Sequence, residues 1–273
     1  MIKLPILMTA SVSTRGMVGA DFSNELRERM YIESLQFYCE ELLDRDRDRS
    51  VVFVDNSGWN LDRIKNAIPE KLSMQVEFLS LPPEEFDISR GKGYNELLLI
   101  NKIIEQSDVV ARTGAFMKVT GRYPIFNIKS FLRDAERFIG QNGGSFYGDI
   151  KDHRVYDFLF PNNTAKWNGH AAYTVLFATT VDFYKKNLGP LYKDCNDYEG
   201  RWVECVWYDA LKRYRGQKGG GVSLRFPREP VCGGLQGSSA QTIVFSKNNQ
   251  SLKSKIMRFV GNLIRKLLPW FWF

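Results

Sequence analysis

The feature that most constrains this chain is the alternation of two hydrophobic periods along its first 150 residues. Short apolar runs of strand length recur between longer segments whose apolar residues return every three or four positions. "LPILMTA" reads as a buried first strand, and "NELRERMYIESLQFYCEELL" follows with Tyr31, Leu35, Tyr38 and Leu42 on one helical face. Next come a strand at "VVFV", a short helix at "LDRIKNAI", and a third strand at "MQVEFLSL", stopped by Pro82 and Pro83. A helix, "YNELLLINKIIEQ", enters through the glycine-rich "RGKG". A fourth strand at "FMKVTG" leads to a helix, "NIKSFLRDAERFIG", expected to close on Gly140, and a fifth strand is expected at "SFYGDI". This βαβα order predicts an α/β fold, a Rossmann-like, mainly parallel sheet with helices on both faces. In such a sheet, ligands sit outside the carboxyl ends of the strands. The second half is less regular: a strand at "AAYTVLFATT", a helix at "VDFYKKNL", and the helix "RWVECVWYDALKRY" carrying Glu204.

Residue usage narrows the chemistry. The four cysteines have no paired spacing for zinc or redox work, and the two histidines are too few for a His-based metal cluster. Catalysis must therefore rest on carboxylates, lysines and arginines. The start lacks the flank of a cleavable signal, which predicts a protein in the cytoplasm or on its membrane face. Of the net charge of +7, six units come from Lys247, Lys253, Lys255, Arg258, Arg265 and Lys266, with no acidic residue after Glu229. A near-neutral body with a basic tail argues against a nucleic-acid partner and for a local contact made by the tail.

Polar groups gather at the expected strand ends. Asp55, Asn56 and Ser57 follow the second strand, and Arg90 and Lys92 lie in "RGKG". Lys118 and Arg122 flank "TG" at the fourth strand, and Asp149 and Asp152 follow the fifth. A nucleotide would use each type: carboxylate and amide for base or ribose, glycine backbone and a helix start for phosphate, lysine and arginine for its charge. "DNSG" is equally good turn chemistry, and "RGKG" lacks the spacing of the named phosphate loops. Lys118 is different, because an ammonium inside an apolar strand needs a partner. Arg27 and Arg29 either reach the crevice or form a solvated helix face.

The motif order resembles that of GT-A-fold glycosyltransferases. "VDNSGW" is similar to the "DDGS" turn of the large inverting family, and "GKGYNELLLIN" to its Gly-then-Asn helix. The set "VDNSGWNL", "RGKGYNELLLI", "KVTGRYPIFNI" and "TTVDFYKKNL" is similar to bacterial glycosyltransferases of capsule and lipopolysaccharide gene clusters. The resemblance implies sugar transfer from a nucleotide-sugar donor, bound by Asp55, Asn56, Ser57, Arg90, Lys92, Lys118 and Arg122, to a lipid-linked or oligosaccharide acceptor. Where that family holds a metal in Asp-x-Asp, this chain has Thr120, Gly121 and Arg122, so transfer without Mg²⁺ or Mn²⁺ is expected, with Lys118 and Arg122 neutralising the leaving phosphate. Asp149 and Asp152 offer a displaced metal site. Glu204 is the candidate base of an inverting reaction, with Asp149 next. Retaining chemistry needs no such base.

Residues 1–245 are read as the transferase domain and 246–273 as a membrane-associating tail. In "LKSKIMRFVGNLIRKLLPWFWF", Ile256, Val260, Leu263, Ile264, Leu267 and Leu268 share one helical face. Arg258, Arg265 and Lys266 lie on the other, and Trp270 and Trp272 follow Pro269. A helix lying in an anionic bilayer interface has this pattern, which places the protein peripherally on the cytoplasmic face of the inner membrane. The same pattern also suits a helix packed on its own core. A sugar nucleotidyltransferase and a non-catalytic membrane- and nucleotide-binding module are the competing functional readings.

Overall fold

The computed structural model of the protein describes residues 2–17, 22–153, 158, 169–215, 221–234 and 252–268. Its centre is a seven-stranded sheet built from β1 (Ile6–Ala10), β2 (Val51–Asp55), β3 (Val76–Ser80), β4 (Ala115–Thr120), β5 (Phe146–Tyr147), β8 (Leu176–Thr180) and β9 (Val222–Ser223). The spatial order is β3-β2-β1-β4-β8-β5-β9. The first four strands are parallel, with Ile6 beside Val51 and Met117, and Val51 beside Val76. Only β8 runs antiparallel, between β4 and β5.

Successive side chains on the strands feed two cores, as period 2 requires. Ile6, Met8, Val51, Phe53, Met117 and Val119 pack with α1 (Asn24–Tyr38) and α5 (Ile128–Asn142). Leu7, Val52, Val54 and Phe116 face the other way, onto α3 (Gly91–Gln106) and α7 (Val203–Leu211). The predicted face of α1 is the buried one, with Tyr31, Leu35 and Tyr38 at 2% exposure or less. Ser23 caps that helix by accepting from the Leu26 N–H.

Three local expectations change. Helix α5 runs past Gly140 and ends at Gly143, whose φ of 64° is the left-handed cap that glycine tolerates. "SFYGDI" divides into β5 and β6 (Ile150–Asp152), because the chain leaves the main sheet to pair with β7 (His170–Ala172). "AAYTVLFATT" likewise divides into β7 and β8. The reversed β8 brings its start, beside Tyr173 and Thr174, to the edge where β1, β2 and β4 end.

Candidate active site

The "DNS" turn after β2 works as a staple. Asp55 accepts from the Val12 N–H at 2.9 Å and from the Ser57 N–H and hydroxyl at 2.8 and 2.7 Å. Asn56 Oδ1 accepts from the Ser11 hydroxyl, and Ser57 Oγ from the Ser13 N–H at 3.1 Å. Three consecutive side chains thus hold three consecutive residues of the loop after β1. Burial raises the Asp55 pKa against these donors. The Asp55 carboxylate is spent on the loop, so it shapes a binding surface more than it contacts one.

"RGKG" is an anion cradle already filled by the protein. Helix α3 begins at Gly91, and Asp197 accepts from the Lys92 N–H at 2.6 Å and the Gly93 N–H at 3.3 Å. A methyl group on Gly91 would lie 2.5 Å from the Asp197 Cβ, and its φ of 85° also requires glycine. A carboxylate at a helix start is favoured by the free N–H groups and the dipole. Arg90 donates to the carbonyls of Cys195 at 2.9 Å and Lys193 at 2.7 Å. The expected donor phosphate therefore finds Asp197 in its place, and the Arg90 guanidinium is engaged with the neighbouring turn.

Lys118 has the partner its burial demanded. Its side chain is 1% exposed, and Nζ lies 2.7 Å from Glu96 Oε1, 2.8 Å from the Thr174 carbonyl and 3.1 Å from the Thr120 hydroxyl. An ammonium has three protons, so none remains for a phosphate, and the expected role of Lys118 in neutralising the leaving group is replaced by an anchoring one. Glu96, on the second turn of α3, also accepts from the Thr9 hydroxyl at 2.9 Å and keeps a quarter of its side chain exposed. Glu204, in the first turn of α7, belongs to the same electrostatic group. Burial raises its pKa, and Glu96 and Asp197 add to the rise while its own N–H and Lys118 oppose it. The half-buried Glu204 is thus held in a state that takes up protons readily.

Arg122, just after β4, keeps Nε and Nη1 buried without a hydrogen-bond acceptor among the described residues, its guanidinium 5.2 Å from the Tyr123 ring centre. Arg27 lies close by. Its guanidinium donates to the carbonyls of Ser11 and Val12, and its pKa is lowered by burial and further by Arg122. Two neighbouring guanidiniums, one with two nitrogens that meet no acceptor among the described residues, suit an anionic group.

Asp149 and Asp152 do not form the expected metal pair. Asp149 accepts two bonds from Arg265 at 2.9 and 3.2 Å and one from the Phe226 N–H. Asp152 meets Arg215, His170 and the Tyr208 hydroxyl. A hard cation would have to displace a guanidinium from each, and no group of three His, Cys, Asp or Glu side chains suited to a metal occurs among the described residues. The Arg265 contact also removes Asp149 from candidacy as a base. Residues missed by the sequence reading are Glu96, Asp197 and Thr9. For Glu96 a signal existed: a carboxylate on the α3 stripe between buried Gly93 and Ile100.

No protein-family model matches the chain, and no curated relative matches it. Solved structures similar to it include the mannosyltransferase Ktr4p from S. cerevisiae in complex with GDP, at 12% identity, 77% of this chain, 66% of that one and a TM-score of 0.43. Another is the galactosyltransferase LgtC in complex with donor and acceptor sugar analogs, at 9% identity, 81% and 73% coverage and a TM-score of 0.47. Mouse xyloside xylosyltransferase 1 gives 10%, 82%, 84% and 0.40. The chain spans just under two thirds of the yeast enzyme's length. Overlaps this remote transfer no chemistry, so the functional reading stands on the site described above.

Proposed function

We propose that this protein is a glycosyltransferase that moves a sugar from a nucleotide-sugar donor to an acceptor hydroxyl with inversion. The observation that carries the reading is a proton-avid Glu204 in the electrostatic group of Lys118 and Glu96, on β4 and α3, with Arg122 just after β4 keeping Nε and Nη1 buried without an acceptor among the described residues. The stapled loop at residues 11–13 and Asn56 form the nucleoside side of the crevice. Arg122, with Arg27 beside it, takes the diphosphate. Glu204 removes the proton of the acceptor hydroxyl as that oxygen bonds to the anomeric carbon. The bond from that carbon to the donor phosphate breaks, and its electron pair leaves on the phosphate oxygen beside Arg122.

Within this reading the phosphate charge is met by arginine, and no step runs through a metal. The acceptor is a lipid-linked surface-polysaccharide precursor presented at the cytoplasmic face of the inner membrane, a proposal supported by the basic, amphipathic tail. The test is a thermal-shift panel of UDP-, GDP-, CMP- and dTDP-sugars, with EDTA or with Mg²⁺ or Mn²⁺. A nucleotide-specific rise that survives EDTA is expected. Arg122→Ala should weaken that nucleotide about 10- to 100-fold, the range of charge-assisted bonds, while the ligand-free melting temperature stays near its original value. No rise with any nucleotide would remove the reading and leave a membrane-binding module as the better account.

A further inference from the structure

The C-terminal helix α8 (Leu252–Leu267) is docked with its polar side inward. Gly261 is buried and close to Glu229, where a methyl group would approach Oε1 to 3.1 Å. The Asn262 side chain accepts from the Glu229 N–H at 2.9 Å. Arg265 donates to both oxygens of Asp149 and to the Phe226 carbonyl at 3.3 Å, and the two side chains of this ion pair are 12% and 11% exposed. At 100° per residue the opposite side carries Ile256, Phe259, Val260, Leu263 and Leu267, exposed by 53, 68, 43, 44 and 64%. A helix covering its own core does the reverse. This geometry corrects the sequence reading of Arg265, which faces the protein. Trp270 and Trp272 lie outside the described residues.

We infer that the outward apolar face of α8 is a docking surface for an anionic lipid bilayer, and that the Arg265–Asp149 pair is the latch that presents it. Charge selects this occupant. The chain beyond Glu229 has six basic residues and no acidic one, and Lys266 is exposed at the edge of the apolar face. A second copy of the chain would bring two such basic segments together, whereas an anionic leaflet neutralises them. The 16-residue helix is about 24 Å long and suits the plane of an interface. Among the described residues no helix is long and apolar enough to cross a membrane. The latch also ties the surface to the crevice. The Asp149 carbonyl accepts from the Tyr173 N–H at 2.8 Å, and the next residue, Thr174, supplies the carbonyl that Lys118 holds. A lipid-linked acceptor would rely on this surface, but vesicle binding is measured without donor or acceptor, so the docking surface and the transferase reading can fail separately.

The experiment uses the full chain in flotation with phosphatidylcholine vesicles and with mixed phosphatidylcholine–phosphatidylglycerol vesicles. Preferential binding to the mixed vesicles is expected, weakening with salt. Phe259→Ser/Leu263→Ser should abolish it with the melting temperature unchanged, because both side chains are exposed. Lys266→Gln should lower partitioning about fivefold. Without vesicles, Arg265→Gln should speed hydrogen exchange of the 252–267 amides, and the serine pair should not. Wild-type protein that stays unbound, or a serine pair that floats like wild type, would overturn the surface. A wild-type dimer that the serine pair makes monomeric, with no vesicle binding, would assign the face to a second copy. Unchanged exchange in Arg265→Gln would overturn the latch.

Discussion

Lys118 and Glu96 offer an asymmetric test of the site's foundation. Their ion pair joins an ammonium that is 1% exposed to a carboxylate that is 25% exposed, at 2.7 Å. Truncating Glu96→Ala removes the carboxylate that, alone among the described residues, is bonded to the ammonium, and leaves it with a carbonyl and a hydroxyl. Breaking a buried pair from this side costs about 3–5 kcal/mol. Lys118→Met removes the buried charge itself. Glu96 then turns its charge to water through its exposed part, and the losses are hydrogen bonds at Thr174 and Thr120, about 1–3 kcal/mol in total. The double variant should resemble Lys118→Met, so the coupling energy should match the Glu96→Ala cost, about 3–5 kcal/mol. Urea unfolding at constant m value measures all four proteins, and Glu96→Ala should also lower the melting temperature on the order of 10 °C. Equal costs for the two single variants, or strict additivity in the double, would refute the assignment of Lys118 as an anchored, desolvated charge.

Other outcomes follow from the same edge of the sheet. Glu204→Gln should lower kcat by about 10²–10⁴, and the acid limb of the wild-type pH–rate profile should lie above the ordinary glutamate range of about 4.3. The folded state holds the Glu204 proton more tightly than the unfolded chain does, so this group's contribution to stability is full at low pH and is lost as pH rises through its raised pKa. The glutamine variant should therefore gain stability relative to wild type on the alkaline side of that pKa, as read by denaturation at two pH values. Gly91→Ala places a Cβ against Asp197 at φ +85° and should cost at least about 1–2 kcal/mol in unfolding experiments. Lys92→Ala keeps the N–H that Asp197 uses and should cost less than Gly91→Ala.

The parallel core of the fold was legible because the βαβα order and the two periods leave few arrangements for four strands. The direction of β8 was not, since "LFATT" shows the same alternation read either way. The site divided along similar lines. A local physical demand, such as the need of Lys118 for a counter-charge, could be read from its neighbours Met117 and Val119. The answer, Glu96, required knowing that α3 crosses that face of the sheet. "RGKG", expected to meet a donor phosphate, instead holds Asp197, 105 residues from Lys92. In the tail the amphipathic period was plain. Which side turned inward depended on distant partners, the Glu229 N–H for Asn262 and the Asp149 carboxylate for Arg265.

The loop after β1 keeps its shape through side chains that lie 43 to 45 positions further along the chain. Two of the three groups that Asp55, Asn56 and Ser57 hold are backbone N–H groups, which every residue except proline possesses. Form and contact chemistry are therefore encoded in different places here. The Ser13 side chain can be exchanged to alter what the loop touches without altering its path, whereas Asp55, Asn56 and Ser57 must stay for any such exchange to be readable. Under the proposed function, a library confined to position 13 would vary nucleotide preference on a fixed frame. Grafting this loop into another protein would require these three residues, and Arg27 and Tyr31, to travel with it.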